Sequence, residues 1–162
     1  MDEVFCINVP VIARNEFDLV FYEVKQLNCC VPLITDEEQL RRMKLEAFLV
    51  HARNLIDFFE AKSKKNDSDL FAFDFCGING LKINSICTSI PDTIKKKINK
   101  HLQHITKDRL SEKVAWNVGL ILNSINKSYS IFLSAIHDKY FSDTKREEHD
   151  CFKYITDKII PS

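Results

Sequence analysis

Reactive side chains first crowd together in the stretch Glu46–Phe59, EAFLVHARNLIDFF. His51, Arg53, Asn54 and Asp57 fall within one short run that is otherwise largely apolar. A histidine can move protons near neutral pH, and an arginine can hold a phosphate through two hydrogen bonds. Arg53 and Asp57 are also spaced to pair across one helical turn, a contact worth only about 0.3–0.5 kcal/mol when exposed. Two readings stay open. The polar arc is either a reaction or partner site, or a solvated helix face with His51 at the core edge on a backbone or carboxylate partner.

A second cluster lies in KHLQHITKDR, Lys100–Arg109. His101, His104 and Asp108 can share one helix face at spacings that converge loosely on a metal. Metal sites in helical bundles draw ligands from several helices, often with a Glu-x-x-His motif. That motif does not occur here, so neither metal nor cofactor is expected. Phosphodiester chemistry without a metal is the alternative. His104 would carry the proton, His51 would complement it, and Arg53 and Arg109 would hold the phosphate. Asn54, Asp57, His101 and Trp116 would line such a site, with Trp116 also a packing anchor.

Other catalytic signatures are weak. There is no G-x-S-x-G, no Walker-type phosphate loop and no G-x-G-x-x-G, and CGING carries only two glycines. The six cysteines include no C-x-x-C pair, and adjacent Cys29 and Cys30 cannot easily chelate one ion together. REEHDC, Arg146–Cys151, reads as helix capping and dipole compensation, and KKKINK, Lys95–Lys100, as a solvated helix face.

The elements that must position these residues read as helices. The chain of 162 residues suits one domain, 1–162, and a chain of this size buries roughly two-thirds of its extended surface on folding. Three glycines and four prolines argue against an all-β chain, and twelve phenylalanines point to a core of large rings. Phe17, Val20, Phe21, Val24 and Leu27 recur at helical spacing within about 12–27. Thr35 and Glu38 suggest a capping box that opens a helix running to about Lys62. Its apolar face is Leu45, Phe48, Ala52, Leu55, Ile56 and Phe59, with His51 at the border. A segment at about 64–91 is apolar without helical period and reads as an irregular packed loop. Ser89 and Asp92 then suggest a second capping box, with Pro91 inside the first turn. One long stripe from Val114 to Tyr140 predicts a helix starting at Ser111, and a last helix follows Ser142. The economical architecture is all-α: an antiparallel four- to five-helix bundle.

Lys plus Arg and Asp plus Glu balance at 23 each, so no net charge pushes the protein toward nucleic acid or an anionic membrane. With no secretory signal pattern and no long apolar run, a cytoplasmic location is expected, away from membranes.

The segments AFLVHARNLIDFF and HLQHITKDR resemble a group of small bacterial all-helical proteins that bring no established activity with them. More remotely, a small bundle with an Arg-Asn dipeptide on a long helix resembles HEPN domains. That resemblance implies RNA-cleaving toxins or their non-catalytic relatives. Their nuclease signature is an arginine, four to six residues, then a histidine. No arginine here has a histidine at that distance, and His149 follows Arg146 too closely. The resemblance therefore extends to the bundle and not to the signature. Function is expected to be binding, through a homodimer or another protein partner. The alternative is a metal-independent, HEPN-like ribonuclease, for which RNA is the partner.

Overall fold

The computed structural model describes residues 15–63, 66–75, 86–103, 115–136 and 140. They form five helices and no strand: α1 (Glu16–Cys29), α2 (Glu38–Glu60), α3 (Ala72–Phe75), α4 (Asp92–Gln103) and α5 (Val118–Ala135). The expected all-α bundle is present. The helix expected after Ser142 lies outside the described residues, as does REEHDC.

Helix starts depart from the sequence expectation in instructive ways. Asn15 opens α1 with a capping box, its Oδ1 accepting from the Asp18 backbone N–H at 3.2 Å and its own N–H donating to Asp18 Oδ2 at 3.3 Å. The Thr35–Glu38 box does not form. The N-cap position of α2 is Glu37, with no side-chain cap bond. Asp36 organises this turn instead, accepting from the Leu33 N–H at 2.7 Å and from Lys44 Nζ at 2.8 Å. Pro91 sits one residue before α4 rather than inside it, and its carbonyl accepts from the N–H groups of Ile94 and Lys95. The helix start expected at Ser111 lies outside the described residues; α5 begins at Val118, capped by Asn117 Oδ1 on the Leu120 N–H at 2.9 Å. Residues 115–117 are not helical, so Trp116 precedes α5, and α2 is the longest helix among the described residues.

α1 and α2 form an antiparallel hairpin, and α4 and α5 complete the bundle around α2 and α1. The order of paired residues sets the directions. Asn28 meets Asn126 while Phe17 meets Phe132, so α1 and α5 are antiparallel. Asn28 is buried, and the two amides bond reciprocally at 3.2 and 3.4 Å while Asn28 also donates to the Val24 carbonyl. The loop segment 86–90 is irregular but packed, with Ile86 and Ile90 in the core. Ser128 of α5 donates to the Cys87 carbonyl at 3.2 Å, tying that loop down.

Phe132 occupies the centre. Its ring lies 5.3 Å from Phe58, 5.6 Å from Phe75, 6.0 Å from Phe59 and 6.3 Å from Phe17, centroid to centroid. One fully buried side chain thus joins α5 to α1, α2 and α3. The contacts to Phe58, Phe59 and Phe75 are edge-to-face, an arrangement worth about 0.5–1.5 kcal/mol per pair beyond area burial. Phe132→Ala is expected to cost about 3–5 kcal/mol, and Phe132→Leu about 1–2 kcal/mol. Urea unfolding followed by circular dichroism checks both; a loss under about 1 kcal/mol for the alanine variant would remove Phe132 from this role.

Candidate functional site

The polar arc of α2 is fastened to α1 by a residue the sequence reading did not select. Glu23 extends from the edge of the α1 apolar stripe, and its Oε2 lies 2.8 Å from His51 Nδ1. Asn54 Nδ2 donates to the same oxygen at 3.2 Å. The His51 ring also stands edge-on to Tyr22, centroids 6.4 Å apart. His51 is thus a core-edge histidine with a carboxylate partner. Arg53 Nε and Asp57 Oδ2 are 3.9 Å apart, a loose pair on the solvent side. Helical geometry explains the division: His51 and Asn54 turn toward α1, whereas Arg53 and Asp57 turn away from it.

Beside this cluster is a cavity of about 420 Å³ between the two helices. Its apolar walls are Leu19, Val20, Leu55, Phe58 and Leu70, with Tyr22. Glu23 and Asn54 supply its polar groups. A second cavity of about 580 Å³ opens between α2 and α4. It brings Asn54 and Asp57 together with Lys95 and Asn99, so part of the α2 arc does face α4.

That second cavity is bordered by a buried-edge lock. Glu60 Oε1 accepts from the Thr88 N–H at 3.1 Å and from the Thr88 hydroxyl. Its Oε2 accepts from Lys95 Nζ at 2.7 Å. One carboxylate thereby joins α2, the 86–90 loop and α4. Burial alone would pull the Lys95 ammonium down, but Glu60 and then Asp92 outweigh it and hold Lys95 above the ordinary lysine value. The signal for this lock was present in sequence: Glu60 continues the buried Ile56 face one turn on.

His101 packs edge-on against Trp116 with centroids 5.5 Å apart, so these two predicted residues do meet. His104, Asp108 and Arg109 lie outside the described residues, and the phosphodiester reading depends on them. Among the described residues no three His, Cys, Asp or Glu side chains stand close enough to hold a metal ion. Burial first, and then Cys29, push the Cys30 thiol up despite Lys44, a shift away from the thiolate form. No helix among the described residues is long and apolar enough to cross a membrane.

No protein-family model matches the chain, and comparisons with curated proteins and solved structures also give no match.

Two charge contacts carry a pH dependence of opposite sign. Because the folded value of Lys95 is raised, its stabilisation is complete below the unfolded lysine value, about 10.4, and is lost as pH rises through the folded one. The Lys44 hydrogen bond, with help from the Leu33 N–H, holds the Asp36 carboxyl below its ordinary value. Its contribution is complete above the unfolded aspartate value, about 3.9, and is lost as pH falls through the folded one. The stability gap between wild type and Lys95→Met is therefore expected to stay level from neutral pH to about 10 and close above it. For Asp36→Asn the gap closes on the acid side. Urea midpoints across pH check both, and a Lys95 gap that widened in alkali would refute the assignment.

Proposed function

We propose that this chain is a binding module that associates with a second copy of itself through the outer face of α2. The observation that carries this reading is an exposed apolar stripe at helical spacing. Exposed Leu40, Met43 and Val50, with half-buried Ala47 between them, recur every three or four residues along α2, opposite its buried face. Met43 is 62% exposed, Leu40 44% and Val50 42%. Ile34, in the turn before the helix, is 83% exposed and extends the patch. Scattered exposed apolar residues are ordinary, but a contiguous row marks an interaction surface.

The stripe suits its own copy. In an antiparallel pairing of two α2 helices, Leu40 falls opposite Val50 and Met43 opposite Ala47. Arg42 and Glu46 lie on the same flank, so each meets its opposite charge across a twofold axis. On the other flank Lys44 approaches its own counterpart, and Asp36 beside each lysine neutralises that repulsion. The patch is narrow, so a dissociation constant of about 1–100 µM is expected.

Sizing with light scattering at chain concentrations spanning that range should show a monomer–dimer equilibrium. Met43→Glu should give a monomer with unchanged helical circular dichroism. Arg42→Glu should weaken the dimer, and adding Glu46→Arg should restore it. A wild type that stays monomeric throughout overturns the proposal.

A further inference from the structure

We infer that the cavity between α1 and α2 is a binding site for an organic cation on an apolar stem, with Glu23 as its counter-ion. The inference does not depend on self-association. Its first ground is the composition of the site. Leu19, Leu55, Phe58 and Leu70 offer the ligand an apolar bed, while Glu23 places a carboxylate on the wall. Ligand sites commonly take this form: a mostly apolar cavity of this size with one or two fixed polar groups.

The second ground is how the carboxylate is held. Both hydrogen bonds from α2, His51 Nδ1 and Asn54 Nδ2, fall on Oε2. Among the described residues Oε1 accepts none. The Glu23 side chain is 28% exposed, so Oε1 stays within reach of solvent and of a ligand's donor, and its lone pairs are open to accept one. With Oε2 anchored, Oε1 is fixed in direction and needs no rearrangement to receive an ammonium or guanidinium. Tyr22 lines the same cavity, and its ring can add attraction for a cation. A neutral or anionic ligand of the same shape lacks the charge-assisted bond and, if anionic, meets repulsion.

The chemistry selects the head group and the stem, which a free amine and a peptide side chain can both present. The test uses 2-phenylethylamine, its neutral analogue 2-phenylethanol, and a blocked lysine amide, each titrated into the full chain with amide chemical shifts as readout. Saturable shifts at Leu19, Glu23, Asn54 and Leu70 are expected for the amine, with at least about tenfold weaker binding of the alcohol. Glu23→Gln keeps an oxygen for His51 and Asn54 but removes the charge. It should weaken amine binding about tenfold and leave the alcohol unchanged. The tighter of amine and lysine amide identifies the source of the head group. The amine–alcohol comparison needs no variant, so it stands if Glu23→Gln folds poorly. Equal binding of amine and alcohol, no saturable binding of either cation, or full amine binding by folded Glu23→Gln overturns the inference.

Discussion

Everything else in this bundle is arranged around the Phe132 ring. A helical bundle of this size has to bring several apolar stripes to one line, and large rings reach across the gap where aliphatic side chains would leave voids. Phe132 touches rings from α1, α2 and α3 at once. Because α2 supplies both Phe58 and Phe59, its rotation about its own axis is fixed. That rotation decides which α2 residues turn to α1, which to α4 and which to solvent. His51 and Asn54 meet Glu23, Glu60 meets Thr88 and Lys95, and the Leu40–Val50 stripe is left outside. The polar geometry is thus a consequence of the aromatic core.

The sequence carried the helices more clearly than their ends. Apolar periodicity placed α1, α2 and α4 nearly where they stand, because burial of a stripe dominates over local propensity. Caps were harder. Thr35 and Glu38 have the right spacing, but Asp36 finds a better partner in Lys44, and the turn follows the stronger charge-assisted contact. The start of α5 at Val118 was hard to read because Trp116 and Val118 are partly buried on either side of the Asn117 cap, and periodicity alone does not register that change of backbone.

The candidate site was legible by halves. His51 and Asn54 stood out because polar residues beside an apolar face are conspicuous. Their partner Glu23 did not, since nothing in one sequence says which of its many acidic residues lies across the hairpin. Asn54 and Asp57 do face a second helix, through Lys95 and Asn99. His101 and Trp116 were expected to line one site, and the fold brings them into ring contact.

The amide pair of Asn28 and Asn126 constrains how this protein can move. Sliding α5 along α1 by one turn, about 5.4 Å, would separate both amides and leave the buried Asn28 with only its bond to the Val24 carbonyl. Intermediate positions offer no partial credit, since the two bonds are reciprocal and break together. The pair therefore opposes piston motion of α5 along α1, by about 1 kcal/mol for each bond lost, and fixes the register of the two helices.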